Sequence, residues 1–277
     1  MTPIVLILVA AVVLVIIMAL LWLRQRQTGN AGTVDIAWSF GTGLAGVWLA
    51  MAPIVGASSN ISRQSLVAVM AAVWAIRLGS HIWRRVVSEE EDGRYRELRE
   101  SWGDNLQRRL FWFFQMQAVA AVLFAVPIFI AARNPDPTIG WADYLGLAIW
   151  VVALGGESIA DRQLARFKAT ASSAGQVCDH GLWGYSRHPN YFFEWVHWFA
   201  YVVIAFGAVS YYHWAWLTLV GPAFMLHFLI RVTGVPPTER HLLASRGDAY
   251  RAYQQRTNMF FPGPSRPRSD TDATRPE

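Results

Sequence analysis

The chain has 277 residues, 54% of them hydrophobic and 16% charged, with a mean hydropathy of +0.26. That balance excludes an ordinary soluble domain and points to an integral membrane protein. The net charge of +5 does not argue for nucleic acid, because membrane topology and anionic lipid headgroups account for the cations.

Hydropathy predicts an all-α, polytopic membrane helix bundle of about seven spans, near 3–23, 34–56, 64–82, 110–132, 141–160, 191–209 and 211–232. The first segment lacks a basic leader and is followed by Arg24 and Arg26, so it is expected to be a retained anchor rather than a cleaved signal peptide. With the N-terminus outside and the C-terminus inside, 21 of the 24 Lys and Arg fall on the cytosolic side. The opposite loops keep Arg63 and Arg133, a strong positive-inside asymmetry. Residues 1–262 are expected to form one membrane domain, and 263–277, rich in Pro, Ser, Arg and Asp, a disordered cytosolic tail. One lysine beside 23 arginines, with no organelle signal, suggests a bacterial inner membrane.

The second span opens on Asp35 and Trp38 and then carries Gly41-Thr42-Gly43-Leu44-Ala45-Gly46. This matches a dinucleotide fingerprint only in letters, since that mechanism needs a strand before it and a helix after it. Small residues for close helix packing explain it better. On the third span Arg77, His81 and Arg84 share one face, where a structural ion pair with Asp35 competes with an acid–base role. The 83–109 loop is highly charged and reads as a helical hairpin or an amphipathic surface segment. Glu157 and Asp161, near the end of the fifth span, read as a helix-end charge cluster.

The densest block is Arg187-His188-Pro189-Asn190-Tyr191, followed by Glu194, His197 and Trp198. Asn190, Glu194, His197 and Tyr201 fall on one helical face, with apolar residues on the other. Aromatic belt residues would account for Trp183 and Tyr185, but not for ionisable groups inside an apolar helix, which are costly and mark a binding site. After the last span come Arg231, Glu239, Arg240, Tyr250 and Tyr253; arginine suits phosphate, and tyrosine can stack or donate. Snorkelling cations at a helix end would explain Arg231 equally well. Pro236-Pro237 can open a short helix to about Ser245, and Gly247-Asp248 a second one carrying both tyrosines. Cys178 is the single cysteine, so no intrachain disulfide forms, and no His/Cys spacing suits a metal.

Taken together, Val34-Asp35-Ile36-Ala37-Trp38, Asp92-Gly93-Arg94-Tyr95, Gly181-Leu182-Trp183 through Glu194, and Tyr250-x-x-Tyr253 before Phe260-Phe261-Pro262 resemble the membrane reductases related to steroid 5-alpha-reductase. The resemblance implies NADPH bound at the cytosolic side and hydride transfer to a C=C bond of a lipid-soluble sterol, enone or other lipid. It implies a cofactor site of Arg187, His188, Asn190, Tyr191, Glu194 and Trp198, with Arg231, Glu239, Arg240, Tyr250 and Tyr253 toward the phosphates and adenosine. The early Gln-Glu pair of steroid reductases is absent, so Asp35, His81 and Tyr95 become the candidate proton donors. Two other readings stand beside it. Isoprenylcysteine carboxyl methyltransferases share R-H-P-x-Y and a late Tyr-x-x-Tyr, and use S-adenosylmethionine. A non-catalytic lipid-binding protein would also fit the missing pair.

Overall fold

A computed structural model describes residues 1–56, 60–88, 101–170 and 175–266. Its described residues are helical, with no strand among them. The helices are α1 (Pro3–Thr28), α2 (Thr33–Met51), α3 (Ile61–Ser88), α4 (Leu106–Ala132), α5 (Trp141–Lys168), α6 (Pro189–Phe206), α7 (Val220–His227), α8 (Val235–Arg246) and α9 (Asp248–Arg256). Short 3-10 turns lie at Gly103–Asn105, Gly181–Gly184 and His213–Leu219, and a π turn at Phe228–Val232.

Among the described residues six helical stretches are long and apolar enough to cross a membrane: α1, α2, α3, α4 with its leading turn, α5, and the run His213–Arg246. Helix α6 is not among them, because Asn190, Glu194 and His197 dilute its apolar face. Helices α3 and α5 continue past their apolar stretches, to Ser88 and Lys168, because polar helix formers sustain the backbone bonds beyond the hydrocarbon.

Local sequence sets the ends. Thr2 caps α1, its hydroxyl accepting from Val5 N at 3.4 Å, with Pro3 in the first turn, and Gly29 closes the helix at φ 74°. Pro236 and Pro237 lack N–H groups and end the preceding run. There the backbone widens, Thr233 N donating to Phe228 O at 2.8 Å, before α8 begins.

The chain forms two compact units. The first comprises Met1–Trp150 and Trp198–Ala223. One face of α1 places Leu6, Leu14 and Met18 against α2 and α4, while Ile4, Leu8, Val12 and Ile16 stay exposed, as a lipid-facing surface requires. The G-x-G-x-x-G string lies inside α2, where it serves helix packing. A Cβ on Gly43 would sit 2.1 Å from Ala75 Cβ, and one on Gly46 2.7 Å from Ile128 Cδ1. Deeper in this unit Trp38, Trp74, Phe124, Trp198 and Tyr201 form a chain of aromatic contacts with centroids 4.6–6.2 Å apart.

The first unit also holds an ion pair that its sequence does not advertise. Arg63 Nε donates to Asp143 Oδ1 at 2.7 Å and Nη2 to Oδ2 at 2.8 Å. The same guanidinium serves the carbonyls of Asn134, Asp136 and Thr138, and both partners are buried. A buried charge is tolerable only with this completeness of pairing.

The second unit comprises Val151–His197 and Phe224–Glu277. It carries the end of α5, the Arg187–Tyr191 block and the C-terminal helices α8 and α9.

Candidate functional site

The 181–191 block is built as a clasp. Gly181 turns the chain at φ 61°, where its missing Cβ leaves room for the Gln163 side chain. Gln163 Oε1 accepts from Leu182 N at 3.0 Å, and Trp183 Nε1 donates to the carbonyl of Ala160 at 3.0 Å. These bonds hold the turn against α5. Ser186 Oγ donates to Phe260 O at 2.8 Å and accepts from His188 N at 3.1 Å, which fastens the aromatic C-terminal strip. Phe192 and Trp195 meet Phe260 and Phe261 edge-on.

Glu239 sits at the centre of the clasp. Its Oε1 accepts from Arg187 Nε at 2.8 Å and from Tyr250 Oη at 3.3 Å, and lies 3.2 Å from His188 Nε2. Its Oε2 accepts from Gln254 Nε2 at 2.9 Å. Arg187 Nη1 also reaches the carbonyls of Thr257 and Gln254 at 2.7 and 3.2 Å. The turn, α8 and α9 are thus tied through one carboxylate. Burial lowers the His188 pKa, outweighing the pull of Glu239. The ring is therefore neutral at pH 7, with Nε2–H donating to the carboxylate.

His188 lies flat on Tyr191, and the Tyr191 hydroxyl is 3.3 Å from Thr238 Oγ1, which donates to Gly234 O. Asn190 Nδ2 donates to Asp161 Oδ1 at 3.2 Å, while its Oδ1 accepts from Tyr191 N at 3.0 Å. Both Asn190 and Tyr191 are half-buried, so each keeps an accessible surface. Burial raises the hydroxyl pKa of Tyr250 and Tyr253, leaving two neutral phenols. Tyr253 spends its proton on Trp183 O. Burial likewise pushes the Cys178 thiol up to about 11, which removes it as a nucleophile at neutral pH.

Of the sequence-predicted residues, Arg187, His188, Glu239 and Tyr250 meet directly, with Tyr191 stacked beside them and Tyr253 against Tyr250. Asn190 joins through Asp161 rather than through the carboxylate cluster. Glu194 is buried in α6, and Arg231 and Arg240 are exposed in the same unit. Trp198 belongs to the first unit, fully buried between Trp74 and Phe124. Asp35, half-buried at the start of α2, and His81, exposed on α3, also belong to the first unit. Tyr95 lies outside the described residues. Gln254, Thr238 and Ser186 are members the sequence reading missed. Gln254 stands one helical turn after Tyr250, and that spacing is the signal that could have found it.

A family model described as a protein of unknown function, DUF1295, matches residues 21–257, which include the Glu239 cluster from Arg187 to Thr257. An uncharacterised protein of Schizosaccharomyces pombe is 27% identical over 275 residues, covering 87% of this chain and 75% of that relative. No solved structure matches the chain significantly. With most of its length under that model, the chain belongs to the DUF1295 family, and its integral membrane character rests on the apolar helices described above.

Proposed function

We propose that the protein is an NADPH-dependent reductase of a C=C bond in a lipid-soluble substrate, related to the steroid 5-alpha-reductases. The observation that carries the reading is the half-buried pair Asn190 and Tyr191 at the first turn of α6, fixed by Asp161 and Thr238. The two side chains offer an amide and a phenol at a helix N-terminus, a setting that favours an anionic ligand.

The donor set suits such a cofactor. Arg187 is committed to Glu239 and two carbonyls, and Tyr253 to Trp183 O. These two residues shape the site. Arg231 and Arg240 are assigned to the phosphates for their exposed guanidinium groups, with Arg240 two residues beyond Thr238. NADPH would supply a hydride to one carbon of the double bond, and a proton would complete the other, leaving NADP⁺ and the saturated product. Asp35, His81 and Tyr95 remain the proposed proton donors. In this reading α6 is a seventh span, the N-terminus lies outside, the C-terminus lies in the cytosol, and the membrane is a bacterial inner membrane.

Thermal stabilisation of the detergent-purified protein by NADPH, NADH and S-adenosylmethionine tests the proposal, since a ligand that binds only the folded state raises its melting temperature. A shift with NADPH is expected, and Asn190→Ala or Tyr191→Phe should abolish it while the protein stays folded. Unchanged NADPH affinity in both variants would overturn the site. A shift with S-adenosylmethionine alone would move the protein to the methyltransferases.

A further inference from the structure

A cavity of about 360 Å³ lies within the first unit, where the C-terminal ends of α1 and α3 meet the start of α2. Its volume is at the small end of ligand pockets, roughly 300–1,000 Å³. One wall is apolar: Leu21, Ile36, Ala37, Trp83, Val86 and Val87. The other carries Arg24, Thr28, Asn30 and Thr33. Among the described residues no acidic one lines it, and Arg24 is its charged member.

The polar wall is incompletely used. Arg24 is exposed, and its guanidinium has no acidic partner among the described residues. Thr33 Oγ1 is buried and makes no hydrogen bond among the described residues. That hydroxyl has almost no surface open to the cavity, so headgroup recognition falls to Arg24 and Asn30. Asn30 uses its Oδ1 on Gly32 N at 2.8 Å, which leaves its amide donors for another acceptor. The last turns of α1 and the Asn30 loop thus present a cation and an amide above an apolar slot, at the end of a helix with one packed face and one exposed apolar face.

We infer that this cavity binds an anionic phospholipid of the surrounding bilayer, with the phosphate at Arg24 and one acyl chain along the Leu21–Ile36–Val86 wall. Charge selects the headgroup and the slot selects the chain. The site needs no turnover and is independent of the proposed reduction. Arg26 provides the internal control: it lies two residues on, over the Trp22 ring at 5.2 Å, and does not line the cavity.

The test uses the full-length protein, delipidated in detergent and titrated with phosphatidylglycerol, phosphatidylcholine or inorganic phosphate, followed by native mass spectrometry and melting temperature. Phosphatidylglycerol should bind one-to-one and raise the melting temperature, and phosphatidylcholine should do neither. Arg24→Gln should weaken phosphatidylglycerol about five- to tenfold, the value of one membrane-surface cation. Arg26→Gln should leave it unchanged. Equal weakening by Arg24→Gln and Arg26→Gln would overturn the site in favour of diffuse attraction. Equal binding of both lipids, or an Arg24-dependent shift with inorganic phosphate alone, would overturn the lipid assignment.

Discussion

The ring of His188 stacks on that of Tyr191 with centroids 5.3 Å apart and planes 3° from parallel. Four residues of sequence, 188–191, therefore carry a side chain of the Glu239 cluster and a side chain of the proposed cofactor site, back to back. His188 thus bears on Tyr191 through a flat ring-to-ring contact.

Removing the central carboxylate should loosen the whole clasp. Glu239→Ala strands Arg187, His188, Tyr250 and Gln254 at once. The Arg187–Glu239 pair is only partly buried, with side chains 10% and 16% exposed. The expected loss is about 2–3 kcal/mol, below the roughly 3–5 kcal/mol of fully buried pairs. Glu239→Gln keeps the shape and should cost less. Unfolding in mixed micelles measures both, and a loss under half a kcal/mol for Glu239→Ala would contradict the central role.

Acid should weaken the fold through His188. Its folded pKa lies below the ordinary 6.5, because burial disfavours the charged ring. Below pH 6.5 the unfolded chain takes up a proton that the folded chain refuses, so stability falls as pH falls, by at most about 1.4 kcal/mol per pH unit for one proton. Stability is full above pH 6.5. His188→Gln, which retains a donor toward Glu239, should flatten the slope between pH 7 and 5.5. A slope identical to that of the wild-type protein would show that other groups set it.

Glycine substitutions in α2 should differ by position. At Gly43 a methyl meets Ala75 Cβ, which cannot rotate away, and the carbonyl of Ala71 lies 3.3 Å off. Gly43→Ala should cost about 1–3 kcal/mol. At Gly41 the nearest atom is Leu14 Cδ2, the far end of a flexible side chain, and Gly41→Ala should cost less than 1 kcal/mol. Neither should alter NADPH affinity, since both act by packing. A selective loss of nucleotide binding in Gly43→Ala would restore the fingerprint reading.

What the sequence could tell follows the range of the interactions. Apolar runs announce about seven spans, six of which the described helices match in length and hydropathy, and Pro236-Pro237 and Gly247 announce α8 and α9, because hydropathy, proline and glycine act within a few residues. The small-residue packing of α2 is legible for the same reason. The partners of Arg187 and Arg63 are not, since 52 and 80 residues separate each from its carboxylate. Asp143 looks like an ordinary acidic residue in the first turn of a helix until Arg63 is placed against it. Trp198 follows Glu194 at helical spacing, yet its contacts lie with Trp74 and Phe124. Periodicity fixes a face of a helix, and only tertiary packing says what that face meets.

The pairing of Arg63 with the 134–143 segment also orders events during synthesis. Arg63 has already left the ribosome when Asp143 emerges, so this knot can close as soon as α5 begins. The neighbouring Asn134 must wait: its amide donates to Ile204 O at 2.6 Å. Trp74 likewise waits for Trp198. The first unit is thus begun by the N-terminal half of the nascent chain and completed only after about eighty more residues arrive, as counted from Asp143 to Ala223. Until then its half-finished aromatic core must be sheltered by lipid or by the insertion machinery.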